Sequence, residues 1–186
     1  MIFLQEIDHH IFFVLNALAH TVIGDFFAFV TWWGDGIICL PVMFLLFWRY
    51  QKRVDRQTLK QMMFFSIALG LIVFFLKTGV ARPRPGALFA AVDRFQFRGE
   101  LLKARSFPSG HTATAFWAYI MASNLNFSRV VNRILLILLV LVGFSRVVIG
   151  AHFPSDVLAA CLIGGGTFQI FCAKKRDATG DAGNES

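Results

Sequence analysis

Long apolar runs separated by short clusters of charge constrain this chain more than any other feature of its sequence. Residues 61–76 contain no Asp, Glu, Lys or Arg. Hydrophobic residues make up 56% of the chain and charged residues only 16%, and the mean hydropathy is +0.62. An average soluble domain carries about 25% charged residues. The composition therefore excludes a disordered chain, a nucleic-acid-binding arm and an ordinary cytosolic enzyme, and it predicts an all-α integral membrane protein.

The positions of charge and of helix-breaking residues predict a polytopic transmembrane helical bundle. A membrane helix needs about 20 mostly apolar residues, so the chain has room for five or six spans. We expect spans at residues 36–50, 61–76, 109–125, 129–150 and 154–173. Residues 9–24 lack Asp, Glu, Lys and Arg but contain three histidines and Asn16. That mixture is typical of a helix at the membrane interface, so an N-terminal interfacial helix is expected.

The remaining segments set the domain organisation. Residues 78–108 form the longest polar stretch, with Pro83, Pro85 and Gly86 as breakers. A loop of about 30 residues in a small protein is long enough to suggest a function. Residues 177–186 are polar and rich in glycine, which predicts a disordered tail. Residues 1–176 are then a single integral-membrane domain.

The distribution of Lys and Arg predicts the orientation in the membrane. The net charge of +7 would suggest a nucleic-acid partner in a soluble protein, but here no nucleic acid is expected, because basic residues lie at the ends of apolar runs. Crossing counts place ten of them on the face formed by residues 49–60, 129–133 and 174–176. The opposite face has eight, three of which carry chemistry. Ten against five predicts that the first face is cytoplasmic and that the long loop faces outward.

The same crossing counts bring three charged clusters to one membrane surface. These clusters are residues 77–85, residues 108–111, and a third group that runs from Ser145 to Asp156. Lys77 and Arg146 interrupt apolar helices, where an unpaired cation costs several kcal/mol. For a single cation, the alternative is a side chain that extends to the interface from a helix end. Several cations and histidines at one surface favour a binding site.

The residue types in these clusters fit a doubly charged anion such as phosphate. Lys77, Arg84 and Arg146 supply three cations, and Arg can bind phosphate oxygens bidentately. Ser109 and Gly110 open an apolar run, so their backbone N–H groups lie at a helix N-terminus, which binds anions.

Two histidines complete the predicted site. His152 and Asp156 lie four residues apart and share a helix face, so Asp156 can hold His152 with its far nitrogen free for nucleophilic attack. His111 is then available to protonate a leaving oxygen. No metal or cofactor is expected, because the acidic residues are scattered and the three cysteines lie far apart with no Cys-x-x-Cys spacing.

Three ordered motifs give the chain a family resemblance. Lys77, six residues and then Arg84-Pro85 form the first motif; Pro108-Ser109-Gly110-His111 form the second. The third is Ser145-Arg146, five residues, His152, three residues and Asp156. With these motifs the chain resembles the type 2 phosphatidic acid phosphatases, membrane relatives of the vanadium haloperoxidases. The signature core covers residues 60–173, and no signature position departs from the pattern.

The resemblance implies a metal-independent phosphatase that works through a phosphohistidine intermediate. It places the nucleophile at His152, the orienting carboxylate at Asp156 and the leaving-group acid at His111. It also implies that the phosphoryl oxygens are held by Lys77, Arg84, Ser109, Gly110 and Arg146. The expected substrate is a membrane lipid phosphate: undecaprenyl pyrophosphate, phosphatidylglycerol phosphate, phosphatidic acid or lipid A. The expected location is the inner (plasma) membrane, with the active site on the periplasmic or extracellular face.

Several alternatives stay open at this point. A lipid phosphotransferase would use the same phosphohistidine, and a membrane scaffold or transporter would use none. Arg82 fits a head-group ligand or a solvated loop cation, and the same choice applies to four further loop cations, Arg94, Arg98, Lys103 and Arg105. His9, His10 and His20 are interpreted as interfacial polar residues. The sequence leaves the identity of the lipid, the number of N-terminal spans and the oligomeric state open.

Overall fold

The structure, a computed structural model, describes residues 2–98, 103–125 and 127–180. In these ranges the chain forms eight α-helices and two short 3-10 turns, with no β-strand. The α-helices are α1 (Ile2–Asn16), α2 (Val22–Val30), α3 (Gly36–Tyr50), α4 (Arg56–Val80), α5 (Pro85–Phe89), α6 (Gly110–Asn124), α7 (Arg129–Val148) and α8 (Pro154–Gly180). The 3-10 turns are Thr31–Gly34 and Gln51–Arg53. The all-α prediction is confirmed.

Polar caps explain why the long helices begin where they do. The side chains of Asp35, Asp55, Ser109 and Ser128 each accept a hydrogen bond from a backbone N–H in the first turn of the helix that follows. These caps satisfy donors that a helix start otherwise leaves unpaired. Pro154 opens α8, where proline is favoured because its missing N–H has no intrahelical partner. Helix starts therefore follow local sequence closely.

Length and hydropathy identify two helical segments that are able to cross a bilayer, Arg56–Phe89 and Arg129–Val148. A third candidate is the pair Val22–Gly34 and Gly36–Tyr50, which is bent by 52° at its break. On α4, Phe64, Phe74 and Phe75 are exposed, as expected for a surface covered by lipid. The described residues thus contain two or three candidate spans, and the wider count of five to six stays a prediction.

Helix α6 lies at the centre of the bundle, where it contacts α3, α4, α7 and α8. Its buried side chains are mostly small, including Ala113, Ala115, Ala118 and Ala122. Small residues let helix backbones approach closely within a membrane. Gly164 of α8 has the same role, since a Cβ atom there would lie 2.5 Å from the ring of Phe116.

Helix α1 is fastened to the long polar segment by a buried asparagine. The Asn16 side chain donates to Gln96 O at 2.6 Å and to Val148 O at 3.0 Å, and it accepts from Gln96 N at 2.9 Å. Phe12 is fully buried and packs against the rings of Phe89 and Phe153. These contacts connect α1 to the ends of α7 and α8, so α1 is part of the packed fold.

The long polar segment and the C-terminal tail differ from the prediction in detail. Helix α4 extends to Val80, and the short helix α5 begins at Pro85, so residues 78–108 are only partly a loop. Pro85 stands at the first helical position, where its fixed φ favours the helix. Residues 99–102 of this segment lie outside the described residues. The tail was predicted to be disordered at residues 177–186. Residues 177–180 instead belong to α8, and residues 181–186 lie outside the described residues.

Candidate active site

Helix ends meet at one end of the bundle and bring the three predicted clusters together. Lys77 lies near the end of α4 and Arg146 near the end of α7. Ser109 caps the start of α6, and Asp156 lies in the first turn of α8. The backbone N–H of Ser109 donates to Asp156 O at 3.0 Å, which ties the second cluster to the third. Residues far apart in sequence therefore form one polar site.

His152 lies in the connection between α7 and α8, with only 1% of its surface exposed. Its Nδ1 faces Asp156 Oδ2 at 3.6 Å and Ser106 Oγ at 3.4 Å. The Ser106 hydroxyl also hydrogen-bonds to Asp156 Oδ2 at 2.5 Å. No residue in the described part of the chain hydrogen-bonds to His152 Nε2. The ring is thus held on its Nδ1 side and free on the other.

The surroundings of His152 favour the neutral imidazole. Burial of the ring, together with the nearby guanidinium groups of Arg146 and Arg84, lowers the pKa of His152 to about 3 against the opposing effect of Asp156. An ordinary histidine has a pKa of about 6.5. The neutral form, which carries the lone pair needed for nucleophilic attack, is therefore available throughout the physiological pH range.

Arg82 lies in an ion-pair network behind Asp156. Its guanidinium donates to Asp156 Oδ1 at 2.7 Å, to Asp8 Oδ2 at 2.8 Å and to Ser155 Oγ at 2.7 Å. It also lies over the ring of Phe153, 4.3 Å from the centroid. Asp8 in turn accepts from the backbone N–H of Ser155. Arg82 is thus a partner of the site carboxylate, and neither interpretation in the sequence analysis included this role.

Lys77, near the end of α4, and Arg84, in the polar segment, are held by contacts with backbone atoms. The Lys77 side chain lies beside Gly110, where a Cβ atom would meet its Cε at 3.4 Å and its Nζ at 3.8 Å. Lys77 Nζ donates to Arg105 O at 3.2 Å. Arg84 donates from Nε to Ala104 O at 3.0 Å and from Nη1 to Ala151 O at 3.3 Å. Backbone carbonyls therefore hold both cations without neutralising their charge.

Arg146 is only 8% exposed and makes few contacts for a buried guanidinium. Its Nη1 donates to Thr31 Oγ1 at 2.7 Å. Its Nε finds no hydrogen-bond partner among the residues that the structure describes. A buried unpaired donor on a charged group is costly, so an anion is the expected partner. This is the strongest sign that the site binds an anionic ligand.

His111 occupies the other side of the site, at the start of α6. Its Nε2 lies 3.7 Å from Asp35 Oδ2, while Asp35 Oδ1 caps α3 through Ile37 N at 2.7 Å. His111 and Gly110 line a cavity of about 450 Å³ that continues between α3 and α4. His111 therefore has a carboxylate neighbour and an open space in front of it.

A second cavity of about 560 Å³ extends the first along the groove between α3 and α4. The two cavities share Leu40, Ser66 and Trp117 in their walls. Trp117 Nε1 donates to Ser66 Oγ at 2.8 Å where the cavities join. The second cavity is bordered by exposed apolar side chains, Phe44, Met63 and Ile67, and reaches Lys60 at its far end. We refer to the two cavities together as the α3–α4 groove.

Four polar residues of the site were not predicted as site residues from the sequence: Asp8, Thr31, Asp35 and Ser106. Each lies outside the three motifs, and their partners are up to 147 residues away in the chain, as for Asp8 and Ser155. A carboxylate in an otherwise apolar segment is the signal that points to Asp8 and Asp35, since such groups are rarely left unpaired. Ser106 stands two residues before Pro108, and only that closeness to the second motif could have identified it.

Two of the other loop cations have partners away from the site. Arg98 forms an ion pair with Asp25, and Arg94 lies over the ring of Phe13 at 3.9 Å from its centroid. Within the described residues, no group of three His, Cys, Asp or Glu side chains is placed to hold a metal ion. Arg94 and Arg98 therefore do not contact the residues of the predicted site.

The described residues thus form a helical bundle with two or three candidate membrane spans and a buried cluster of cations and histidines at one end. The family model of the PAP2 superfamily matches residues 58–178. The chain belongs to the PAP2 superfamily, and the resemblance drawn from the three motifs is confirmed.

Relatives with known names support this membership. The chain is 38% identical over 99 residues to a lipid A 1-phosphatase of Rhizobium etli, a match that covers 52% of this chain and 41% of that protein. It is 28% identical to the undecaprenyl-diphosphatase BcrC of Bacillus subtilis, over 84% of this chain and 78% of the relative. In the match to the first of these, the chain thus spans about two fifths of the relative's length.

Solved structures share the fold as well. The crystal structure of Aquifex aeolicus LpxE superposes with a TM-score of 0.73 at 27% identity, covering 88% of this chain and 93% of that one. A PAP2-type phosphatidylglycerolphosphate phosphatase from Bacillus subtilis gives a TM-score of 0.69 at 25% identity, covering 94% and 87%. Both similarities extend to the N-terminal helices, which precede the residues that the family model matches.

Proposed function

We propose that this protein is an integral-membrane lipid phosphate phosphatase that removes a terminal phosphate through a phosphohistidine intermediate. The observation that carries the proposal is a buried, neutral His152 whose Nε2 is free, set beside cations that lack a neutralising partner. Nucleophile, positive charge and helix N-terminus are the parts that phosphoryl transfer requires. Three cations take the place of the metal ion that many phosphoryl-transfer enzymes use.

The reaction proceeds in two displacements at phosphorus. Lys77, Arg84 and Arg146 hold the phosphoryl oxygens together with the Gly110 N–H and the Ser109 hydroxyl, because the Ser109 N–H already donates to Asp156 O. His152 Nε2 attacks phosphorus, the P–O bond to the lipid breaks, and His111 gives a proton to the leaving oxygen. Water then attacks the phosphohistidine and gives a proton to His111, the P–N bond breaks, and inorganic phosphate leaves with both histidines restored. Asp156 orients His152 and stabilises the positive charge on its ring during both steps.

The α3–α4 groove supports a lipid as the substrate. Along α4 it extends from Val73 to Leu59, about 20 Å at 1.5 Å per residue, which is comparable with the thickness of one hydrocarbon leaflet. Its walls are almost entirely apolar, and its upper end opens at Gly110 and His111. A lipid that enters sideways from the bilayer would place its chain in the groove and its phosphate at the cations.

The proposed location is the inner (plasma) membrane, crossed by five to six helices, with the site facing the periplasm or the cell exterior. The excess of Lys and Arg at the opposite end of the bundle supports this orientation. The interfacial position of α1 is supported by its exposed Phe3, Leu4 and Val14, while Asp8 and Asn16 on the same helix are buried. An amphipathic helix of this kind fits the boundary between lipid and head groups.

The proposed substrates are lipids that end in a phosphate or diphosphate. Relatives are named as phosphatases of lipid A and of undecaprenyl diphosphate, and one structural neighbour is named for phosphatidylglycerolphosphate. Phosphatidic acid has the same terminal group. A lipid phosphotransferase is the second candidate, because a hydroxyl of another lipid that enters the same groove would capture the phosphohistidine in place of water.

The test is phosphate release by the purified full-length protein in detergent micelles across these four classes of lipid. His152→Ala is expected to lose nearly all activity, about 10⁴-fold or more, as loss of a nucleophile usually does. His10→Ala is the matched control, because His10 is an exposed histidine of α1. Full activity in His152→Ala would contradict the assigned nucleophile.

Two additions to the assay separate the remaining alternatives. EDTA is expected to leave the rate unchanged, and dependence on added Mg²⁺ would contradict a metal-independent site. Addition of a second lipid with a free hydroxyl tests for transfer. Formation of a new phospholipid in place of inorganic phosphate would identify a phosphotransferase.

A further inference from the structure

Ser106 is a fully buried serine at the centre of the site, and none of the three motifs includes it. Its backbone N–H donates to Arg82 O at 2.8 Å, which fixes the position of its main chain. Its hydroxyl lies beside the contact between the site carboxylate and the site histidine, 2.5 Å from Asp156 Oδ2 and 3.4 Å from His152 Nδ1. Ser106 therefore contacts both members of the His152–Asp156 pair.

The direction of these hydrogen bonds follows from the number of available protons. The Arg82 guanidinium and the backbone N–H of Phe153 both donate to Asp156, as expected for an ionised carboxylate. An ionised carboxylate accepts hydrogen bonds and has none to give. The single hydroxyl proton of Ser106 is thus committed to Asp156. Toward His152 Nδ1, Ser106 Oγ is able only to accept.

Both oxygens that face Nδ1 are therefore acceptors. A neutral imidazole carries one proton, on either Nδ1 or Nε2. With Ser106 Oγ and Asp156 Oδ2 both accepting, the proton is favoured on Nδ1, which leaves the lone pair on Nε2. Ser106 Oγ stands 3.4 Å from Nδ1 and Asp156 Oδ2 stands 3.6 Å from it, so both contacts are longer than the usual hydrogen bond and are similar in length. The nearer acceptor is Ser106.

We propose that Ser106 is a positioning residue that fixes the tautomer of His152 with the proton on Nδ1. The inference rests on the proposed function only for its kinetic consequence, since the tautomer is a property of the resting protein. A serine that merely satisfied the carboxylate would have no influence on the ring.

The direct test is the ¹⁵N NMR spectrum of histidine-labelled, full-length protein in detergent at neutral pH. The His152 signals are those missing from the spectrum of His152→Gln. In the wild type we expect a neutral ring with a protonated Nδ1 and an unprotonated Nε2. A wild-type ring protonated on Nε2 would overturn the proposal, and this measurement requires no Ser106 variant to fold.

The second test compares Ser106→Ala with the control Ser123→Ala, which removes a hydroxyl that bonds only to Tyr119 O within α6. We expect Ser106→Ala to shift the His152 signals toward the other tautomer or a mixture, and to lower kcat about 10- to 100-fold with KM changed less than 2-fold. Ser106→Thr keeps the hydroxyl and is expected to retain the wild-type tautomer. An unchanged tautomer together with an unchanged kcat in Ser106→Ala would overturn the proposal.

Failure of the proposed function has a different signature. If no lipid in the panel released phosphate while His152 was protonated on Nδ1, the phosphatase proposal would fail and the tautomer assignment would stand. If phosphate release was normal while His152 was protonated on Nε2, the role of Ser106 would fail alone.

Discussion

The N-terminal region, residues 2–50, and the region from Arg56 onward contribute to the site in different ways. Every group proposed to touch phosphate comes from the second region, which holds all three motifs. The first region contributes Asp8, Thr31 and Asp35, which contact Arg82, Arg146 and His111 respectively. The residues proposed to carry the chemistry thus lie in the motifs, while side chains of the N-terminal region hold the charged groups of the motifs and their neighbours in place.

The two regions are also expected to differ in how many substitutions each position tolerates. Transfer of a phosphoryl group requires particular charges and a particular nucleophile, so the second region tolerates few substitutions at the site. A residue that only positions a charged group needs to offer one hydrogen-bond acceptor at the right place, as Thr31 Oγ1 does for Arg146. We therefore expect substitutions in the second region to reduce activity far more than those in the first.

The largest expected effect of those compared here is that of Arg146→Ala. It removes a buried cation proposed to hold the phosphoryl oxygens, and removal of one such donor typically lowers kcat about 10²- to 10³-fold. Steady-state phosphate release measures the effect, with Arg133→Ala near the opposite end of α7 as the control. An effect smaller than that of Asp8→Asn would break the contrast between the two regions.

Asp8→Asn is expected to have an intermediate effect. It removes the charge that α1 brings to Arg82 while keeping the shape of the side chain, so Asp156 becomes the sole carboxylate on that guanidinium. Loss of a hydrogen bond to a charged group costs about 2 kcal/mol. We expect a lower Tm in detergent and a kcat reduced about 5- to 20-fold, with Glu6→Gln on the same helix as the control. A wild-type Tm would show that α1 does not brace the site.

Thr31→Val is expected to have a smaller effect. It removes the acceptor for Arg146 Nη1 and keeps the volume of the side chain. Because the guanidinium can still bind the phosphate, we expect kcat to fall about 3-fold and KM to rise by a similar factor. Thr21→Val, at the cap of α2, is the matched control, and both kinetic constants would be measured for each variant. A loss of kcat as large as that of Arg146→Ala would mean that Thr31 itself binds the substrate.

The smallest expected effect is that of mild acid on the protonation state of His152. The pKa of His152 is lowered to about 3, so the imidazole stays neutral at pH 5, where an ordinary histidine is mostly protonated. His152 thus places no acidic limb on the pH dependence of kcat/KM above pH 4. Stability, in contrast, does depend on this group. In the unfolded chain His152 takes up a proton near pH 6.5, so the free energy of unfolding falls as the pH is lowered from there toward 3. A loss of kcat/KM centred near pH 6.5 in His111→Asn would contradict the shifted value.

Much of the fold was predictable because helix boundaries depend on neighbouring residues. The predicted spans at residues 36, 129 and 154 begin at the same positions as α3, α7 and α8, where a cap or a proline marks the start. Local spacing does not encode which face of α1 is buried. Asn16 fitted an interfacial helix in the sequence, yet its side chain bonds to Gln96 and Val148, 80 and 132 residues away.

In the site, too, some features follow from local sequence and others only from long-range packing. Motif spacing predicted Lys77, Arg84, His111, Arg146 and His152 as site residues, and the helix ends that carry them meet at one end of the bundle. The partners of Arg82 were not predictable, because its ion pairs with Asp8 and Asp156 each join residues 74 positions apart. Long-range pairing of this kind is visible only once the helices are packed.

The burial of the His152 ring, which is only 1% exposed and lies near the guanidinium groups of Arg146 and Arg84, has a consequence for the proposed lipid phosphatase. Ordinary bilayer lipids are phosphodiesters, with a substituent on each side of phosphorus and a single negative charge. A terminal phosphate offers three unsubstituted oxygens and a second charge, and so fits a narrow recess rich in positive charge. We expect the catalyst to spare the bulk of the bilayer around it and to turn over only the rare lipids whose phosphate stands at the end of the molecule.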